Sequence, residues 1–341
     1  MKLSVAMITY NHERFIGQAI ESVLAQKVNF DYEIVIGEDC STDGTRAIVT
    51  DFSRRYPSRI VPLMRERNLG GPRNFVGTLA ACRGQYLALL EGDDYWTCTN
   101  KLQKQVDFLD AHPDWNICCS RAQVRNERNM SAGALRAQTG AIFPAHPGVH
   151  FDRQEVMGLL PATPRAAGTY TLKDLLHENF IPTCTVVYRW GRLGRTFPSW
   201  HYRSSLGDLP LHAIVTGQNN IELLDDCTAV YRIHPGGVWS SRDRASQFRE
   251  NTAMLAALNR HLGHPYNNLL GAHIARSYLA LCLSARQEGK RLDTGKHLLS
   301  CVRNGGCQLP SSYRLLAGLA AYALIGSWYK VFSSVKPESS R

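Results

Sequence analysis

The chain has 341 residues, 44% of them hydrophobic and 20% charged, with 39 Lys and Arg against 29 Asp and Glu. It is too apolar for a disordered chain and long enough for one large core or two modest ones, and a collagen, a coiled coil and a small disulfide-stapled module are excluded. The net charge of +10 is unevenly placed: residues 240–341 hold 14 Lys and Arg against 5 Asp and Glu, so a near-neutral body precedes a basic tail region suited to an anionic membrane surface, an acidic ligand or nucleic acid.

Short apolar runs at Leu3–Ile8, Tyr32–Ile36, Ile60–Leu63, Tyr86–Leu90 and Ile117–Cys119 alternate with helix-patterned stretches. This is the βαβα rhythm of a parallel sheet covered on both faces. Asn11 reads as the cap of a helix over Glu13–Gln26, and Ser41, Thr42 and Asp43 read as caps before Thr45–Arg55. Arg73, in Asn68-Leu69-Gly70-Gly71-Pro72-Arg73-Asn74, opens a third helix, and a fourth over Asn100–Ala111 is stopped by Pro113. Residues 121–170 show little periodicity and read as an insertion or loop. Pattern resumes with a helix at Leu172–His177, a strand at Cys184–Tyr188, a helix after Asp208 and a strand at Ala229–Ile233. From about Asp243 to Phe332 three or four helices are expected, with a boundary near 240 dividing a domain of residues 1–240 from a basic helical region of 241–341. The apolar run Leu315–Tyr329 is shorter than the roughly twenty residues of a spanning helix; it fits a core helix, or an interfacial helix flanked by Arg314, Lys330 and Lys336.

Ten cysteines without a C-x-x-C pair, and a start without the pattern of a secretory signal, fit free thiols in a cytoplasmic setting. The Cys and His spacings make no zinc site, so any metal is expected on carboxylates. In an open parallel sheet, ligands bind outside the carboxyl ends of the strands, where loops converge and helix N-termini point outward. Neither G-x-G-x-x-G after the first strand nor a P-loop is present. Acidic residues stand there instead. Glu91, Asp93 and Asp94 follow the Tyr86–Leu90 run and would repel one another unless a cation such as Mn²⁺ or Mg²⁺ joined them, which in turn implies a phosphorylated substrate. Asp39, at the end of the second apolar run, can accept from a base N–H or a sugar hydroxyl, and Arg73 can reach a phosphate.

Four segments, SVAMITYNHERFIGQAIESVLAQ, EIVIGEDCSTDGT, NLGGPRNFVGTLAACRGQYLALLEGDDYW and KLQKQVDFL, resemble in order and spacing the family 2 glycosyltransferases, which move a sugar from a nucleotide-diphosphate donor on a GT-A fold. The resemblance covers residues 3 to about 110 and resumes over 180–240. It implies an α/β fold with a mostly parallel sheet flanked by helices, residues 1–120 as the nucleotide-sugar half and 171–240 as the acceptor half. It places Thr9, Asn11, Glu13, Asp39, Arg73, Glu91, Gly92 and Asp93 at the donor, and Glu91-Gly92-Asp93 where the family carries its D-x-D motif. Asp93, with Asp94 and His234, is then expected on the metal, and Asp208 as the catalytic base of an inverting transfer. Arg232 is expected to neutralise the diphosphate. The chain departs from the family pattern at Glu38, Cys40 and Glu91, and its only Arg-Trp pair, Arg189-Trp190, lacks the preceding Gln of processive synthases, so a single addition is implied. The expected partners are a UDP-, dTDP- or GDP-sugar, a glycan or lipid-linked acceptor, and an anionic membrane surface. A nucleotidyltransferase of similar fold and a non-catalytic nucleotide or carbohydrate binder stand as alternatives. Nucleic acid is disfavoured, because the aromatic residues of the basic region sit in apolar helical pattern rather than among its Arg residues.

Overall fold

The computed structural model describes residues 1–127, 156–160, 165–191, 197–204, 207–237 and 244–304, and the chain divides into two compact units, Met1–Ser241 and Arg242–Arg341. In the first unit, β1 (Leu3–Thr9), α1 (Ile16–Leu24), β2 (Tyr32–Glu38), α2 (Thr45–Arg55), β3 (Ile60–Met64), α3 (Gly71–Ala81) and β4 (Tyr86–Leu89) alternate strand and helix. β1 pairs in parallel with β2 on one side and β4 on the other, and β2 pairs in parallel with β3. All of β2 and β4 and nearly all of β1 is buried, which is why these strands read as unbroken apolar runs rather than alternations.

The chain continues through β5 (Tyr95–Trp96), α4 (Lys101–Ala111), β6 (Trp115–Asn126), β7 (Val156–Leu160), β8 (Gly168–Tyr170), α5 (Leu172–His177), β9 (Val187–Arg189), α6 (Asp208–Thr216) and β10 (Asn220–Ile233). The sheet order is β3-β2-β1-β4-β9-β6-β10-β5, with β7 on β6 and β8 on β10. β9, β5, β7 and β8 run antiparallel to their neighbours and β6 and β10 pair in parallel, so the sheet is mixed and mostly parallel.

Several expected boundaries move, each for a local reason. The first helix starts at Ile16 rather than Glu13, and Asn11 does not cap it: Asn11 adopts φ 55 and its amide oxygen accepts from Thr42 N at 2.8 Å. Residues 121–126, expected within a loop, extend β6. There buried Ala122 and Val124 alternate with half-buried Arg121, Gln123 and Arg125, a strand period masked by its polar members. The strand expected at Ala229–Ile233 begins at Asn220, and irregularities around Cys227 break the periodicity that would have revealed it. Part of Cys184–Tyr188 is a 3₁₀ turn, Thr183–Thr185, before β9. The Leu172–His177 helix holds, with a capping box between Thr171 and Asp174. Most of the remaining 121–170 insertion lies outside the described residues.

The second unit has α7 (Arg244–His261), α8 (Asn267–Gln287) and α9 (Arg291–Arg303), with α8 packed on both others. Gly263 at φ 72 and Gly289 at φ 71 make the two turns, where a side chain would strain the backbone. Among the described residues no helix is long and apolar enough to cross a membrane. The Leu315–Tyr329 run lies outside them.

Candidate active site

The strand order fixes where the site lies. From β1 the chain moves outward through β2 to β3, then returns to add β4 on the other side of β1, so the carboxyl ends of β1 and β4 border the crevice where α/β sheets bind ligands. Thr9 to Glu13 leave β1 there, and Glu91 to Asp94 leave β4.

The loop after β1 is tied to the loop after β2. Asn11 N donates to Ser41 Oγ at 3.0 Å, His12 N to Thr45 Oγ1 at 2.8 Å and Glu13 N to Asp43 Oδ2 at 3.1 Å, while Gly44 N donates to Glu13 Oε2 at 3.0 Å. Asn11 and Glu13, expected on the nucleotide, therefore brace the crevice wall through these bonds. Asp39 is buried at the end of β2. Its two oxygens accept from Leu69 N at 2.8 Å and Gly70 N at 3.0 Å, which shapes the loop that presents exposed Arg73 in the first turn of α3.

Gly92 is required by close approach. A Cβ there would lie 2.7 Å from Thr9 Oγ1 and 3.0 Å from Ile16 Cδ1, so any side chain would push the acidic loop off β1. Its neighbours divide into distinct environments. Asp93 Oδ2 lies 3.0 Å from His234 Nε2 and 3.8 Å from His12 Nε2. Burial raises its pKa, but the charges of His12 and His234 and the His234 contact outweigh that and hold it at about 2. Asp94 points the other way: its Oδ1 accepts from Arg232 N at 2.8 Å, and burial, with the Asp93 and Glu91 charges adding, pushes its carboxyl well up. Glu91 is pushed to about 8, chiefly by burial and then by the charges of Asp93 and Asp208.

The Glu91 shift has a measurable sign. Its carboxyl holds a proton more tightly in the folded chain than at its ordinary 4.5, so the metal-free fold loses stability as pH rises from about 4.5 to about 8 and no further above that. Metal-free Glu91→Gln is therefore expected to melt above the parent at pH 8 and level with it at pH 4. Thermal melts in chelator at both pH values measure this; equal gaps at both would refute it.

His12, Asp93 and His234 each offer one donor atom within 4.8 Å of the others, a set that can hold a divalent cation. The chemistry fits, and so does the local polar balance: Thr9 Oγ1, His12 Nδ1 and Glu91 Oε2 are buried here without a hydrogen-bond partner. This set departs at one member from the expected Asp93, Asp94 and His234. Asp93 and His234 meet as anticipated, His12 joins them, and Asp94 is turned to the backbone of β10 instead. What the sequence did not single out is His12, which reaches the set from the loop after β1. Arg232 is likewise not directed at a diphosphate. Its buried guanidinium lies 4.4 Å from the Tyr95 ring centroid and 5.0 Å from that of Phe15, and bonds Asp93 O and Gln18 Oε1. It thereby fastens the acidic loop to β10 and α1.

Asp208 is the first residue of α6, half-buried, and its Oδ2 accepts from Thr183 Oγ1 at 3.5 Å. Its charge adds to the upward push on Glu91. One turn along α6, His212 is fully buried with Nδ1 2.6 Å from Tyr188 OH, and burial lowers it to about 4. A neutral imidazole thus supports the helix that carries Asp208. The spacing of four from Asp208 is the signal that could have singled it out.

Residues 4–162 match the family described as Glycosyl transferase family 2. The uncharacterized protein Rv1520 of Mycobacterium tuberculosis (strain ATCC 25618 / H37Rv) is 34% identical over 248 residues, 70% of this chain and 61% of the relative. The chain thus spans about three fifths of that curated relative. Among solved structures, residues 1–349 of Staphylococcus aureus TarS, in complex with UDP-GlcNAc, align with a TM-score of 0.63 at 20% identity, covering 95% of this chain and 88% of that one. The mannosyltransferase PcManGT of Pyrobaculum calidifontis, in complex with GDP-Man and Mn²⁺, aligns at 0.50 with 16% identity, covering 98% and 88%. The fold is GT-A, and residues 4–162 carry a family 2 glycosyltransferase domain.

Proposed function

We propose that this chain transfers one sugar from a nucleotide-diphosphate donor to a hydroxyl of a glycan or lipid-linked acceptor, with inversion at the anomeric carbon and with a divalent cation, Mn²⁺ or Mg²⁺. The observation that carries the reading is the meeting of Asp93, His12 and His234 at the β1 and β4 ends, beside the unpartnered polar atoms of Thr9 and Glu91. The complexes of TarS with UDP-GlcNAc and of PcManGT with GDP-Man and Mn²⁺ support it by likeness of fold.

In this reading Thr9, Asp39 and Arg73 bind the donor, with Asp39 meeting the base and Arg73 the diphosphate. His12, Asp93 and His234 hold the cation, which supplies positive charge to the departing diphosphate. Glu91 contacts the ribose or a water of the cation. Asp208 accepts the proton of the acceptor hydroxyl as that oxygen attacks the face opposite the leaving group. Arg232 keeps Asp93 aimed at the two imidazoles.

A thermal-shift panel of UDP, GDP and dTDP, with their sugars, tests the donor side in the presence and absence of Mn²⁺. The expected result is stabilisation by one base only when metal is added, about 2.7 kcal/mol at a hundredfold excess over Kd. The sugar carried by that nucleotide then serves as donor, and the anomeric proton coupling in the product reads the stereochemistry. Stabilisation by none of the pairs, or a retained configuration, would overturn the reading.

A further inference from the structure

The described helix α9 turns Thr294 and Cys301 inward, with Cys301 packed in the small core around Ala275 and Leu298. Its outward side is unusual for a solvated helix. Leu292 is 70% exposed, Leu299 51% and Val302 42%, and Arg291, Lys296 and Arg303 are exposed beside them. At the helical period, Leu292, Lys296, Leu299 and Arg303 form one narrow stripe with Val302 on its flank. The one acid of the helix, Asp293, is half-exposed and lies 3.6 Å from Lys296.

Large aliphatic side chains interleaved with cations suit a surface that is both apolar and negative. A second copy meets the apolar demand but not the negative one. Symmetric pairing would set the cations of this stripe against their own copies, because an isologous interface opposes the same patch to itself. An aqueous anion would leave the leucines wet. An anionic lipid bilayer takes both: the aliphatic tips enter the upper acyl region while the long basic side chains reach back to the headgroups. The same sign extends over the whole region, with 14 Lys and Arg against 5 Asp and Glu in residues 240–341.

We propose that the outer face of α9 docks on an anionic bilayer through Leu292, Leu299 and Val302, with Arg291, Lys296 and Arg303 at the headgroups. The inference is independent of the sugar-transfer reading, and its test uses no donor. The full chain is floated with phosphatidylcholine vesicles with and without phosphatidylglycerol. The expected result is flotation only with the anionic lipid. The Leu292→Gln/Leu299→Gln variant should lower the bound fraction roughly tenfold or more. Lys296→Gln should lower the partition coefficient about fivefold, an effect weakened by salt. All three side chains are exposed, so melting temperatures should stay within about a degree or two of the parent, which separates lost docking from lost folding. No flotation with phosphatidylglycerol, or equal flotation of the leucine variant, overturns the proposal. So does a parent that sediments as a dimer and a leucine variant that sediments as a monomer, since that gives the face to a second copy.

Discussion

Asp208→Asn is expected to lower the transfer rate by roughly 10²–10⁴-fold while leaving the stabilisation by nucleotide and metal within about a factor of two of the parent. Asn keeps the size of the side chain and can still meet Thr183 Oγ1, 3.5 Å from Asp208 Oδ2. It cannot take a proton. The N-cap of α6 is Gly207, so the helix does not depend on this side chain for its cap and should persist, and removing one negative charge near Glu91 eases the crowding of carboxyls. The comparison of rate against nucleotide binding therefore separates a base from a merely structural residue. Initial rates on the donor found by the thermal-shift panel, with melting curves beside them, measure both. A variant with parental rates would remove Asp208 from the chemistry. A variant that loses nucleotide binding along with rate would move it to the donor.

How much of this was legible in the residues depends on how local each signal is. The strand-helix alternation and the rule that sites form at carboxyl ends need only nearby residues, so Thr9, Asp39, Glu91 and Asp93 could be singled out in advance. β1, β2 and β4 are plain in the sequence because burial on both faces makes them continuously apolar. The long central strands were harder. β6 alternates polar and apolar residues, and the irregularities of β10 around Cys227 interrupt the period. What no local pattern holds is which side chains meet across the fold. The approach of His12 to His234, with ring centroids 5.8 Å apart, depends on β10 returning beside β5. Arg232 shows the same limit from the other side: its sequence neighbours suggest an anion ligand, and its surroundings of Phe15, Tyr95 and Gln18 use it as a fastener.

Asp93→Asn should weaken Mn²⁺ binding by on the order of a hundredfold or more, because it removes the one anionic donor from a set otherwise made of two imidazoles. Its effect on the metal-free fold has the opposite expected sign or none. The Asp93 charge raises both Glu91 and Asp94, so its loss relieves two buried neighbours, while the amide can still accept from His234 Nε2 at about the present 3.0 Å. The lost attraction to the histidines works against that relief, and the net change in melting temperature without metal should be small. His12→Ala tests the donor that sequence reading missed: it should also weaken Mn²⁺, by less than Asp93→Asn, since it removes an imidazole and leaves the one anionic donor in place. Electron paramagnetic resonance of free Mn²⁺ during titration, with UDP or GDP as the panel dictates, gives both affinities. Equal affinities in parent and Asp93→Asn would place the cation away from this cluster. A His12→Ala variant indistinguishable from the parent would reduce the set to Asp93 and His234, with donor phosphates and water completing it.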